Sequence, residues 1–245
     1  MAVNTRGVFS LEKIREKEIF DEWVNLDDVW LSGLSSTPNT GYFGGGYTGS
    51  VTLATMDKVT YSTDTTAATP SADLSLARYA SGATGNSEAG YFGGGFPAIS
   101  TMDKLTYSTD TTVYTPGANL SLARYAHAAT GSLEAGYFGG GLAPSFPDSI
   151  MDKLTYSTDT TAFTPFGSLS SGRRSHAATG NSTAGYFGGG WDGSALVSTM
   201  DKLTYSTDTT VYTPGANLSA ARQYAAGTSS LANALPGTLF TPNIV

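Results

Sequence analysis

The chain carries the stretch GYFGGG at residues 41–46, followed by MDKVTYSTDTT at residues 56–66, and this pair of motifs returns three more times. The copies of GYFGGG begin at Gly41, Gly90, Gly136 and Gly185, so successive copies are 49, 46 and 49 residues apart. A period of about 40 to 50 residues is typical of propellers and solenoids, in which each repeat is one supersecondary unit. We therefore expect the recurring residues to build the repeat, and we look for function in what differs between copies.

The spacing of the motifs predicts one variable loop in every repeat. From each MDK to the next GYFGGG the distance is constant at 34 residues, as from Met56 to Gly90. Between GYFGGG and the following MDK, nine residues intervene in three repeats and six in the second. Because loops tolerate changes of length better than strands do, the loop of each repeat follows GYFGGG.

The sequence pattern predicts four strands in each repeat. They are represented by ARYAHAATG at residues 123–131, AGYFGGG at 135–141, MDKLTYS at 151–157 and TVYTP at 112–116. The STDTT segments between the third and fourth strands are predicted to form turns, because Ser, Thr and Asp side chains bond to nearby backbone N–H groups. The fold class expected from this pattern is all-β, with repeats of about 46–49 residues.

Composition narrows the classes of function. The 30 glycines and the charged fraction of only 13% suit an all-β chain, and the absence of Cys excludes disulfides and thiolate metal sites. A net charge of -7 without a basic cluster disfavours binding to nucleic acid or to an anionic membrane. The first residues contain no long apolar run, so we expect no signal peptide and no membrane insertion.

The first 33 residues differ from the rest. They hold four basic and seven acidic side chains, a third of all charged residues, and two of the three tryptophans. An imperfect amphipathic pattern over residues 11–23 predicts a short helix, followed by an extended stretch. The segment is too short to own a core, so we expect it to anchor the chain on a larger assembly, the alternative being packing on its own repeats. Candidate docking residues are Leu11, Ile14, Ile19, Phe20, Trp23 and Trp30.

The order of Arg, a glycine-rich strand and a D-x-x-x-Y strand resembles the kelch repeat of β-propellers. In the first repeat the resemblance rests on Gly44, Gly45, Tyr61 and Arg78. Kelch blades usually carry a Trp about six residues past the Tyr, which this chain lacks, so its blade packing is expected to be a variant. The resemblance covers about residues 34–231 and implies a four-repeat propeller, with residues 232–245 as a C-terminal tail.

The chain enters its repeats at GYFGGG and leaves them at residues 220–228, which are first-strand material. We expect this last segment to complete the first blade and to close the ring, which would protect the sheet edges. The alternative is an open array that a neighbouring chain completes.

Taken as a whole, including the opening MAVNTRGVFSLEKI and the repeated refrain, the chain is similar to virion proteins of marine tailed phages, in particular those that infect cyanobacteria. This resemblance implies a tail-fibre or surface protein that is assembled in the host cytoplasm and located in the virion. It also implies a multi-copy assembly with other virion proteins as partners of the N-terminal segment.

The loops after GYFGGG are the best candidates for a binding surface, because they differ between repeats and each begins with an apolar or aromatic residue. In a ring they would gather on one rim, and aromatic side chains among small polar ones suit contact with carbohydrate or protein. The alternative is that they fill gaps between loops or contact a neighbouring subunit. The candidates are Tyr47, Phe96, Leu142, Phe146, Trp191 and Asp192, with Trp191 and Asp192 as a sugar platform.

The sequence gives little support for a catalytic site or a metal site. The recurring Asp and Arg residues are expected to be structural, with each arginine bonded to backbone carbonyls of its blade or to an Asp. His127 and His176 share one position of the repeat, but two ligands do not make a metal site. There is no nucleophile elbow and no phosphate loop, so we expect no catalysis, metal or cofactor. The function expected is host-surface adhesion by a tail appendage; the alternative is capsid or tail decoration without a ligand.

Overall fold

A computed structural model describes residues 40–229, and in this range nearly all regular structure is strand. The strands form four antiparallel sheets. The first sheet contains β1 (Thr40–Tyr47), β2 (Thr52–Thr60) and β3 (Thr65–Ala68). The second contains β4 (Gly82–Gly85), β5 (Ala89–Gly93), β6 (Met102–Thr106) and β7 (Thr111–Tyr114). The third contains β8 (Ala128–Gly131), β9 (Ala135–Gly139), β10 (Met151–Thr155) and β11 (Thr160–Phe163). The fourth contains β12 (Ala177–Gly180), β13 (Ala184–Gly188), β14 (Met200–Thr204) and β15 (Thr209–Tyr212).

The second, third and fourth sheets have the four strands predicted for one repeat, paired in chain order. The turns predicted at STDTT are confirmed, and each holds its Asp at a positive φ of 51–53°, a conformation that Asp tolerates better than most residues. After the fourth strand of each repeat, a proline opens a single 3-10 turn, where its fixed φ and missing N–H are harmless. These turns are Pro70–Ala72, Pro116–Ala118, Pro165–Gly167 and Pro214–Ala216.

The first strand of each repeat is shorter than predicted. Of the expected residues 123–131, only Ala128–Gly131 form a strand. Ala126 has a φ of 54°, which breaks the extended backbone, and its N–H donates to the carbonyl of Ala80 in the preceding repeat at 2.8 Å. The residues before the strand therefore join neighbouring repeats instead of extending their own sheet.

The core lies between consecutive sheets. Tyr91 and Met102 of the second sheet pack with Phe138, Leu154 and Tyr156 of the third in one buried cluster. Equivalent clusters join the first sheet to the second and the third to the fourth. The Tyr-Phe and Leu-x-Tyr pairs of the motifs thus build a core between repeats, in which each buried large side chain contributes about 1.5–3 kcal/mol.

In each of the last three sheets, a buried ion pair joins the segment before the first strand to the third strand of the same sheet. Arg124 and Asp152 are both 0% exposed, and Nη2 of the arginine lies 2.9 Å from the carboxylate. The same Nη2 donates to the carbonyl of Phe138 at 2.9 Å. The predicted structural role of the repeated arginines is thus confirmed for three of the four copies. The other two pairs are Arg78 with Asp103 and Arg173 with Asp201.

No closed ring is found among residues 40–229. The first sheet has three strands, and β1 pairs only with β2 there. Residues 220–228 form no strand and do not complete the first sheet as expected. They lie against the fourth sheet instead, where the N–H of Tyr224 donates to the carbonyl of Ser175 and the hydroxyl of Thr179 to that of Thr228. The two boundary segments before it make the same bond, from Ala126 to Ala80 and from Ser175 to Ala126, so the last segment follows the same rule.

Candidate functional site

The four residues that begin the variable loops occupy equivalent places. Three of them form a backbone β-bridge with the residue that follows one of the buried arginines, which we call the boundary arginines. Phe96 bridges to Tyr79 through two backbone hydrogen bonds, in which the N–H of Phe96 donates at 2.8 Å and that of Tyr79 at 3.4 Å. Leu142 is paired in the same way with Tyr125. Each bridge places the residue that begins a loop next to the residue that follows an arginine.

Four aromatic rings from three repeats form a continuous row, which we call the aromatic stripe. The ring centroids of Tyr47 and Tyr79 are 5.3 Å apart, those of Tyr79 and Phe96 5.0 Å, and those of Phe96 and Tyr125 5.2 Å. These separations are within the range of favourable aromatic pairs. Tyr47 remains 55% exposed and Phe96 40% exposed. The stripe therefore presents apolar ring area to the solvent, while the hydroxyl of Tyr47 donates to the carbonyl of Gly49 at 2.7 Å.

Trp191 is less open than the sequence led us to expect. The guanidinium of Arg174 lies 4.8 Å from the centre of its ring, a cation–π contact that covers one face. Asp192 is engaged in its own turn: Oδ1 accepts from the N–H groups of Ser194 and Ala195, both at 2.8 Å. These hydrogen bonds lower the pKa of Asp192. The pair thus has one ring face and a turn-forming carboxylate, which is less than a full sugar platform.

Two further candidates lie beside this row. Leu142 is half-buried and bridges both Tyr125 and Pro147. Phe146, in the same loop, is 76% exposed. Phe146 is therefore open to a partner, whereas Leu142 mainly holds its loop in place.

Sequence reasoning missed three residues of this surface: Tyr79, Tyr125 and Arg174. All three directly follow a buried boundary arginine, at a position where the fourth repeat has Gln223. Variation right beside an invariant residue was the available signal, because a position that changes between repeats is not needed to build the repeat.

A second polar arrangement, the inter-sheet clamp, joins each sheet to the next. The ammonium of Lys153 in the third sheet lies 2.8 Å from the carboxylate of Asp208, and the hydroxyl of Tyr137 donates to that carboxylate at 2.6 Å. At the equivalent Asp110, burial would raise the pKa, but hydrogen bonds from Lys58 and Tyr42 outweigh it and lower the pKa below its ordinary value. The STDTT aspartates thus link sheets as well as forming turns.

The two histidines lie on the inner side of the repeats and are only 6% exposed. Nε2 of His127 accepts the N–H of Gly82 at 3.1 Å, and His176 packs against Phe187. Burial lowers the pKa of His127 well below its ordinary value and that of His176 to about 3. Both rings are therefore neutral at physiological pH. No group of three potential metal-ligating side chains occurs within residues 40–229.

The six docking candidates of the N-terminal segment lie outside the described residues, so they stay a prediction. They are Leu11, Ile14, Ile19, Phe20, Trp23 and Trp30. In the part of the chain that is described, no helix is long and apolar enough to cross a membrane. In comparisons with known proteins, no family model and no curated protein matches the chain.

Proposed function

We propose that the protein is a phage virion component, in a tail fibre or a similar appendage, that displays a kelch-like propeller for adhesion to a glycan or protein of the host surface. The observation that carries the proposal is the aromatic stripe of Tyr47, Tyr79, Phe96 and Tyr125. A virion location and partners bound by residues 1–33 come from the resemblance in sequence. Catalysis, a metal and a cofactor form no part of the proposal.

The stripe has the physical character of a binding surface. Its rings lean on one another, so they lose little conformational freedom when a partner covers them. The stripe is also built from residues that vary between repeats, whereas the constant residues lie between the sheets. A contiguous exposed apolar patch of this kind marks an interaction site more often than scattered exposed residues do.

The test is saturable binding of the fluorescently labelled full chain to host cells and to a resistant strain. We expect Phe96→Ala to reduce binding to the host at least about tenfold, the loss of roughly one buried aromatic contact. The matched control is Phe163→Ala, because Phe163 is 46% exposed on β11, away from the stripe, against 40% for Phe96. Equal binding by both variants and the unchanged protein would contradict adhesion through the stripe.

The second candidate function is decoration of the capsid or tail without a ligand. The observation that favours it is that the residues common to all repeats serve inter-sheet packing, as the clamp and the buried arginines do. Decoration predicts that deletion of residues 1–33 removes the protein from purified particles, while substitutions in the stripe leave infection unchanged. Adhesion predicts normal incorporation of stripe variants but impaired attachment.

A further inference from the structure

The two ends of the sheet array carry the two halves of an interface that occurs three times inside the chain. We call the outer face of the first sheet the head; it includes Phe43, Asp57, Tyr61 and Asp64. We call the outer face of the fourth sheet, together with residues 217–228, the tail; it includes Tyr186, Met200, Lys202 and Arg222.

Every internal interface is built in the same way. The ion pair of its clamp measures 2.7 Å between the first two sheets, 2.7 Å between the next two and 2.8 Å between the last two. In each, a tyrosine of the GYFGGG motif stacks on a tyrosine of the next sheet, with ring centroids 5.4, 5.2 and 5.1 Å apart. The step from sheet to sheet is therefore uniform.

The head exposes residues that are buried in later repeats. Phe43 is 67% exposed, whereas its counterpart Phe138 is 0% exposed. Tyr61 is 57% exposed, whereas its counterpart Tyr156 is 7% exposed. These two rings form an apolar surface whose copies elsewhere in the chain are always covered by a preceding sheet.

The tail holds the complementary groups in the geometry of the internal interfaces. The ammonium of Lys202 lies 5.9 Å from the ring centre of Tyr186, close to the 5.6–5.8 Å of the other three lysine–tyrosine pairs. Arg222 is exposed, although Arg78, Arg124 and Arg173 are 0% exposed. The tail therefore presents two positive charges where the head presents Asp57 and Asp64.

The backbone at the two ends is complementary as well. In the second sheet, the GYFGGG strand β5 pairs with β4 along one edge. The corresponding strand of the first sheet is β1, which pairs only with β2 among the described residues, so the equivalent edge of β1 is open. Counted from the boundary arginine, residues 226–228 occupy the place of an inner strand such as β4. In the register of β4 with β5, they match residues 42–44.

We propose that the tail of one copy of this chain binds the head of a second copy, so that Lys202 pairs with Asp64, Arg222 with Asp57, and residues 226–228 add a strand to β1. No hydrogen bond, ion pair or ring contact joins head to tail within residues 40–229. Because the described residues of the two ends face one cavity without bonding to each other, the complementary groups of both ends stay available to a further copy. Such a head-to-tail interface forms a ring if its rotation closes and a filament if it does not.

The first test is self-association of the full chain, measured by sedimentation over a wide range of concentration. We expect oligomers, and we expect Asp64→Lys or Lys202→Asp alone to weaken association roughly tenfold, because each replaces an attraction by a repulsion. In an equimolar mixture, each variant's tail is compatible with the other variant's head, so the mixture restores assembly with the two variants alternating. The double variant carries compatible charges at both ends and restores full assembly. A chain that stays monomeric at all concentrations overturns the proposal.

The second test is a designed disulfide, which the cysteine-free chain allows. Inside the chain, Cγ2 of Thr84 lies directly against the Cβ position of Gly136, within reach of a disulfide. The equivalent pair across the proposed interface is Thr179→Cys with Gly41→Cys. We expect this double variant to form covalent dimers or longer ladders on oxidation. The matched control, Thr84→Cys with Gly136→Cys, should link within one chain.

Closure within one chain is the competing arrangement, because one cavity of about 410 Å³ is lined both by Gly41 and by Thr228. It predicts that the end-to-end disulfide forms only inside a monomer, and that mixing the two charge variants changes nothing. Either result overturns the proposal. So does failure of the end pair to oxidise under conditions in which the control pair does, since the two ends then do not meet. Normal host binding by assembly-deficient variants would leave adhesion standing, so the two proposals fail separately.

Discussion

Removal of Arg124 tests the view that the repeated arginines hold the fold. Its Nη2 lies 2.9 Å from the carboxylate of Asp152 and 2.9 Å from the carbonyl of Phe138. Without the arginine, the buried carboxylate keeps only the N–H of Ser121, at 3.1 Å, among its described donors. Breaking a buried ion pair by deleting one partner costs about 3–5 kcal/mol. For a domain of this size that corresponds to a fall in Tm of about 6–20 °C.

The assay is thermal and urea unfolding of Arg124→Ala, followed by circular dichroism and tyrosine fluorescence. The matched control is Arg222→Ala in dilute protein, because Arg222 has the same place in the repeat but is exposed. We expect that control to change the free energy of unfolding by no more than about 0.5 kcal/mol. The double variant Arg124→Met, Asp152→Leu should recover part of the loss, since no charge then stays buried without a partner.

Two results would refute this reasoning. One is an equal, small loss of stability in Arg124→Ala and Arg222→Ala, which would mean that burial of the ion pair does not matter. The other is a double variant as unstable as the single one, which would assign the loss to side-chain volume and not to the stranded carboxylate. Adding the single variants Arg124→Met and Asp152→Leu completes a double-mutant cycle, from which the coupling energy of Arg124 and Asp152 can be read.

Three other predictions concern stability. His176 has a pKa of about 3 when folded and about 6.5 when unfolded, so the unfolded state binds the proton first and stability falls as the pH drops from 6.5 toward 3. We expect His176→Ala to remove about 1.4 kcal/mol per pH unit of that slope in urea titrations; parallel slopes would contradict it. Gly140→Ala should cost about 1–3 kcal/mol, because φ is 61° and the new Cβ lies 2.7 Å from a backbone carbonyl, whereas Gly215→Ala, with nothing within 4 Å, should be neutral. Asp208→Asn should cost about 1 kcal/mol by loss of its ion pair with Lys153, and a loss unchanged in 1 M salt would count against an ionic origin.

Much of one repeat was predictable from sequence because each motif is copied. The position of the strands, the turn at STDTT and the inward Arg–Asp pairing follow from a pattern that must satisfy the same packing several times. The aromatic stripe was only half predictable. Tyr47 and Phe96 stood out as starts of variable loops, but Tyr79 joins them through a bridge across a loop, and no local period marks such a contact.

The sequence by itself determined the repeating unit, because hydrophobic alternation and turn residues act within a few positions of the chain. Only the tertiary structure decided what becomes of each copy. Phe43 and Phe138 belong to the same motif, yet one is 67% exposed and the other 0% exposed, since a preceding sheet covers only the second. It also decided that residues 220–228 form no strand with the first sheet within residues 40–229, because closure depends on the accumulated rotation between sheets, which no single residue or motif encodes.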